Sequence, residues 1–241
     1  MSFPARLPQE LLEHPQVWLG SDLARTRRAG VPSGFPELDR ELPGGGWPAG
    51  VLTELFPAHE GIGELRLLGP ALAALSSQGL RLAWIAPPYL PYAPAITAAG
   101  IDPARLVIVK TRSEKDTLWA AEQALASNAC GAVLAWLPGA KYAELRRLQL
   151  AAEAGEALAL LFRPPDTARA SSPAALRLAL STAQGRLAVH ILKRRGAPLG
   201  HSVLLPAMPL AHRKRSSGHA MDRPSLPPAA ARNAAARVAF A

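Results

Sequence analysis

The first place to look for chemistry is Pro57-Ala58-His59-Glu60-Gly61-Ile62-Gly63-Glu64, where two glycines stand between an apolar run and a helical pattern. Glycines so placed offer backbone N–H groups to an anion. In a working phosphate loop a lysine then neutralises the β- and γ-phosphates and a Ser or Thr hydroxyl holds magnesium. Pro57, Gly61 and Gly63 keep the frame of such a loop, but the segment has neither lysine nor hydroxyl. Glu60 and Glu64 put negative charge where phosphates would lie, although Glu64 at a helix N-terminus suits the helix dipole. The other positions a nucleotide site needs are equally blank. A magnesium carboxylate belongs at the end of a buried strand, yet no Asp or Glu occurs from Gln123 to Ala143, and the run Ala132–Leu137 leads into Pro138. After the run Leu82–Ala86 stand Pro87 and Pro88, which neither accept a proton nor ligate a metal. His59 beside Glu60 has no third member with which to form a catalytic triad and is expected to be solvated. The expectation is a degenerate phosphate loop with no catalysis, no cofactor and no metal.

The elements that must hold this loop follow from periodicity. Short apolar runs predict strands at Val51–Phe56, Leu82–Ala86, Leu106–Lys110, Ala132–Leu137 and Leu158–Phe162. Helical spacing of Leu65, Leu68, Leu72 and Leu75 follows Gly63, and Ser113-Glu-Lys-Asp116 is a capped start for a helix with Leu118, Ala121 and Leu125. Leu145, Leu148 and Ala152 mark another helix. Strands alternating with helices specify a mostly parallel sheet with helices on both faces, a three-layer α/β domain. After Pro173 the pattern becomes strict alternation, Leu176-x-Leu178-x-Leu180 and Leu187-x-Val189-x-Ile191 around Ala183-Gln-Gly185, which is a β-hairpin at the sheet's edge. Residues 1–30 read as an arm with a short helix around Gln9 to His14, residues 31–209 as the domain, and 210–241 as a basic, flexible tail without periodicity.

Composition restricts the partners. The 241 residues carry a net charge of +9. From Lys193 onward nine basic residues face one acid, Asp222, so nearly all of the excess lies at the C-terminal end. That gradient points to nucleic acid first and to an acidic protein surface second, with Lys193, Arg194, Arg195, Arg213, Lys214 and Arg215 as the candidate contacts. In the arm, Val17, Trp18 and Leu19 lie close to Arg25, Arg27 and Arg28, an apolar anchor beside positive charge. Trp47, beside glycines and Pro48, reads either as an exposed anchor or as turn packing, and Trp84 and Trp136 as core. Asp166 to Ser172 is polar enough to touch DNA. A single cysteine, Cys130, and six scattered histidines exclude a disulfide scaffold and zinc spacings. No apolar run is long enough to span a membrane, and the N-terminus lacks a signal-peptide core, so a cytoplasmic protein is expected.

The stretch from Ser33 to Leu55, with Ser33-Gly34, Leu38-Asp39, Gly45-Gly46-Trp47-Pro48-Ala49-Gly50 and Glu54 on the following strand, resembles the entry to the core of the RecA/RadA recombinases. The likeness continues through Tyr92-Ala93 and Gly100-Ile101-Asp102 and spans roughly residues 33 to 195. In that alignment Asp166 to Ser172 falls where recombinases keep a mobile DNA-contacting loop. A RecA-like domain without its ATP site and with a basic tail is similar to the ImuA family of the RecA/SulA superfamily, as is His14-Pro-Gln-Val-Trp18-Leu-Gly20. The resemblance implies a non-enzymatic accessory protein of SOS-induced translesion DNA synthesis. It would act with an ImuB-type protein and an error-prone DnaE-type polymerase, with DNA or RecA as further candidates. The alternative is a SulA-like inhibitor of cell division that binds the tubulin-like division protein.

Overall fold

A computed structural model describes residues 29–206. The calls on the arm, including Trp18, and on Arg213, Lys214 and Arg215 lie outside the described residues.

The chain enters through a glycine-rich turn. Val31 and Trp47 form an antiparallel bridge, with N–H to carbonyl distances of 2.9 and 2.7 Å. A Cβ on Gly46 would stand 2.4 Å from the Val31 carbonyl oxygen, so only glycine lets the two backbones approach this closely. The bridge folds Trp47 inward, where it is wholly buried. Of its two readings, turn and core packing is the one observed. Between the two sides of this turn lies the one-turn helix α1 (Pro36–Asp39).

Eight strands make one sheet in the order β3-β2-β4-β5-β1-β6-β7-β8. They are β1 (Leu52–Pro57), β2 (Arg81–Ile85), β3 (Leu106–Val109), β4 (Cys130–Trp136), β5 (Leu158–Phe162), β6 (Leu176–Ala183), β7 (Arg186–Lys193) and β8 (Ser202–Leu204). The first six pair in parallel, and β7 and β8 continue the sheet antiparallel. β4 and β5 are apolar runs because both of their faces are covered. One face packs under α2 (Glu64–Ser77), whose Leu67, Leu68 and Leu72 meet Leu55, Trp84 and Leu160. The other packs under α4 (Glu114–Ala126) and α5 (Tyr142–Glu153), whose Leu118, Leu145 and Leu148 meet Ile85, Val133 and Leu161. The small helix α3 (Ala93–Ala98) precedes β3. The predicted cap is present: the Ser113 hydroxyl accepts the Asp116 N–H at 3.1 Å.

The predicted hairpin is β6–β7. Gln184 and Gly185, with φ of +54° and +68°, turn it in the left-handed conformation that two-residue hairpin loops require. The hairpin does not end the sheet, however. β8 pairs with β7 and forms the edge. No helix of the described residues is long and apolar enough to cross a membrane.

Candidate functional site

The carboxyl ends of β1, β2, β4 and β5 surround a cavity of about 410 Å³, the place where open α/β sheets receive ligands. β1 delivers Pro57 to its rim, and the loop that follows turns straight into α2. Gly61 and Gly63 are left-handed, with φ of +76° and +119°, which exposes their N–H groups on the inside of the loop. Both N–H groups are taken. Glu64 Oε1 accepts from Gly61 and Oε2 from Gly63, each at 3.0 Å. The loop thus folds around a carboxylate of its own chain where a phosphate loop folds around phosphate. A bound phosphate would have to displace Glu64 and then meet Glu60 nearby.

The His59 ring hydrogen-bonds through Nδ1 to the backbone carbonyl of Glu60 at 3.1 Å, so the exposed imidazole is tied to the main chain. Glu60 instead accepts from Tyr89, whose phenol pKa is raised first by that hydrogen bond and then by the carboxylate's charge. Ala86 ends β2 in the left-handed region at φ +54°, held by its N–H bond of 2.8 Å to the Val109 carbonyl. The cavity wall is aromatic: Trp136 stacks on Phe162 at 4.5 Å with 13° between planes, and Trp84 lies 6.2 Å from Trp136. Trp84 is core, whereas Trp136 also lines the cavity.

Beside the cavity, Tyr89, Leu90 and Tyr92 are 71%, 67% and 71% exposed. Pro87, Pro88 and Pro91 restrict the backbone that presents them. This exposed ridge was not singled out from sequence. Its signal was present all the same: three large apolar or aromatic residues set among prolines cannot all be strand core.

Behind the cavity lies a charge cluster that sequence reading missed. Glu54 on β1 is fully buried and accepts from Arg163 Nη1 at 2.8 Å and from Arg177 Nε at 2.7 Å. Arg163 Nη2 also donates to the Ala140 carbonyl at 2.7 Å, and Arg177 lies over the Phe56 ring, 5.0 Å from its centroid. One carboxylate faces two guanidiniums. Arg163 Nε and Arg177 Nη2 are buried without a hydrogen-bond partner among the described residues.

Lys193, Arg194 and Arg195 are not equivalent. Arg194 is committed to Glu41, whereas among the described residues Lys193 donates only to the Ser172 carbonyl and Arg195 is exposed without a partner. None of the three comes to the cavity; they lie at the opposite edge of the sheet, near the amino ends of β1 and β6. Asp166 falls in a 3-10 turn, Pro165–Arg169, where Thr167 Oγ1 bonds the Pro164 carbonyl at 2.7 Å. Cys130 is half-buried at the start of β4, and burial pushes its thiol pKa up, partly offset by Arg81.

The family model described as cell division inhibitor SulA matches residues 50–159, from just before β1 to the second residue of β5. Cell division inhibitor SulA of Edwardsiella piscicida is 33% identical over 119 residues, which are 49% of this chain and 70% of that protein. Protein ImuA of Caulobacter vibrioides (strain NA1000 / CB15N) is 33% identical over 129 residues, 50% of this chain and 51% of that protein. The chain thus spans about half the length of this ImuA relative. The crystal structure of SulA from Pseudomonas aeruginosa is 27% identical, covering 48% of this chain and 99% of its own, with a TM-score of 0.41. The matched span carries the Glu64-filled loop and the Tyr89 ridge, and its relatives bear both names: the chain belongs to the SulA/ImuA-like family.

Proposed function

We propose that the chain is a non-catalytic accessory protein of SOS-induced, error-prone translesion synthesis. In this reading it is a RecA-like core with a degenerate phosphate loop that acts as an adaptor for an ImuB-type protein and a DnaE-type polymerase. The reading rests on Glu64. A loop whose N–H groups already hold a carboxylate, with no lysine, hydroxyl or strand-end acid nearby, has nothing with which to bind or cleave a nucleotide. What the carboxyl edge offers instead is surface. The exposed Tyr89-Leu90-Pro91-Tyr92 ridge is an apolar anchor whose conformation proline has already restricted, which reduces the ordering entropy of binding. The arm with Trp18 would add a second contact, and RecA is a further candidate partner.

We take the ImuA-like reading ahead of the SulA-like one, although relatives of both names match at 33% identity. The match with the ImuA relative is 50% of this chain and 51% of that protein, and the match with the SulA relative is 49% of this chain and 70% of that protein. The sheet also continues through β6, β7 and β8, beyond residue 159 where the SulA family model ends. The test is co-purification with an ImuB-type protein from the same genome. Tyr89→Ala with Leu90→Ala, and separately Trp18→Ala, should weaken capture while leaving the melting temperature nearly unchanged. Filamentation on expression in a host without ImuB, with no ImuB capture, would favour the SulA-like division inhibitor. Micromolar binding of magnesium–ATP would overturn the non-catalytic reading.

A further inference from the structure

At the amino edge of the sheet, opposite the Tyr89 ridge, two hollows of about 440 and 360 Å³ adjoin along Val51, Glu153, Ala175 and Arg195, which line both. The fold brings Arg146 to this groove from α5, to stand with Lys193 and Arg195 from the end of β7, 47 and 49 positions further along the chain. α5 is a firm support: the Gln149 side chain, one turn after Arg146, accepts the Leu52 N–H at 3.0 Å and ties the helix to the start of β1. Arg146, Lys193 and Arg195 are exposed, and no carboxylate pairs with any of them among the described residues. Arg194 lines the same hollow, but Glu41 neutralises its charge. Two carboxylates line the groove: Glu153, common to both hollows and bonded to the Gln149 amide at 2.7 Å, and Glu156 in the larger hollow.

We infer that this groove binds the phosphodiester backbone of DNA through Arg146, Lys193 and Arg195. A phosphate backbone requires cations and shape, with no apolar anchor. An acidic protein surface would be held by aromatic or large apolar side chains as well, and neither hollow is lined by an aromatic residue. Val51, the aliphatic side chain common to both hollows, is 4% exposed. The groove and the ridge lie at opposite edges of the sheet, so DNA at one leaves the other open to protein. The inference does not depend on the adaptor reading, because it concerns a different surface and a different ligand.

The experiment is fluorescence anisotropy of the full chain with a labelled random-sequence DNA duplex, titrated over a range of salt concentrations from about 50 mM upward. Arg146→Ala and Arg195→Ala should each reduce the slope of log affinity against log salt by about 0.9, and the triple variant with Lys193→Ala by about 2 to 3. Arg112→Ala, at an exposed arginine after β3 on the far edge of the sheet, should leave the slope unchanged. Absence of binding at low salt would overturn the inference. So would an unchanged slope for Arg146→Ala, or an equal fall for Arg112→Ala, since either would mean that charge elsewhere carries the DNA. Retention of ImuB capture by the triple variant would show that a failure here leaves the adaptor reading intact.

Discussion

Arg194 reaches back 153 residues to Glu41, donating through Nη1 to its backbone carbonyl at 2.7 Å and to its carboxylate at 2.8 Å. Nε bonds the Ala197 carbonyl at 2.7 Å, so the guanidinium fastens the turn after β7 to the segment before β1. Arg194→Ala is expected to lower unfolding stability by about 1 to 2 kcal/mol, because it removes several hydrogen bonds from a partly buried charged group. Arg195→Ala, an exposed neighbour, should change stability by less than about 0.5 kcal/mol. Urea midpoints of the two variants decide this. Equal midpoints would mean that the Glu41 contact contributes nothing.

Glu54 has the larger stability effect. Glu54→Ala leaves Arg163 and Arg177 buried without their counter-charge, and removing one partner of such a cluster costs about 3 to 5 kcal/mol. Replacing all three residues with apolar side chains of similar volume, Glu54→Leu with Arg163→Met and Arg177→Met, should recover most of that loss. Chemical denaturation of the single and triple variants measures both. A triple variant no more stable than Glu54→Ala would show that the cluster does more than neutralise itself.

At the loop, Glu64→Ala removes two charge-assisted hydrogen bonds near the surface and should reduce stability by about 1 kcal/mol. Calorimetry with magnesium–ATP should still register no binding. The vacated N–H groups would lack the lysine and the metal ligands that hold a nucleotide. ATP binding by this variant would show that Glu64 alone keeps the loop closed to nucleotide.

Tyr89 gives a pH signature. Its pKa is raised because Glu60 accepts from the neutral phenol and repels the phenolate. The folded state therefore holds that proton more tightly than the unfolded chain. Its contribution is fully present below the ordinary phenol pKa of 10.0 and is lost as the pH rises through the raised folded value. In an ultraviolet titration, Glu60→Gln should move one tyrosine back toward 10.0. An unchanged titration would mean that Glu60 and Tyr89 do not meet in solution.

How much of this was legible in the sequence depended on how local each cause is. β5 was expected at Leu158–Phe162 and is found there, because the short apolar run between Glu156 and Arg163 fits a strand covered on both faces. The capped start at Ser113 was equally local. α3 was missed, being six residues long with a proline in its first turn, and so was β8, whose three residues are a strand only because β7 pairs with them. In the loop, that residues 57–64 contain no Lys, Ser or Thr is plain from the sequence. Glu64 was read as repelling phosphates and as suiting the helix dipole, whereas the glycine conformations that turn two N–H groups onto its carboxylate emerge from the folded backbone. The Glu54 cluster joins residues 109 and 123 positions apart, and Arg146 and Lys193 come to line one hollow only through the folding of α5 and β7. No spacing in the chain encodes such meetings.

The Glu54 cluster also governs how the chain can be divided. Glu54 lies inside the span that the SulA family model matches, residues 50–159, while Arg163 and Arg177 lie beyond its end. A fragment cut to that span would carry a core glutamate stripped of both counter-ions, and β1 would lose β6 as well as most of β5. The span that the family model matches would therefore leave Glu54 without its counter-ions if it were cut from this chain. Within this chain the sheet around β1 is completed by β5 and β6, whose ends carry or precede the arginines that neutralise Glu54.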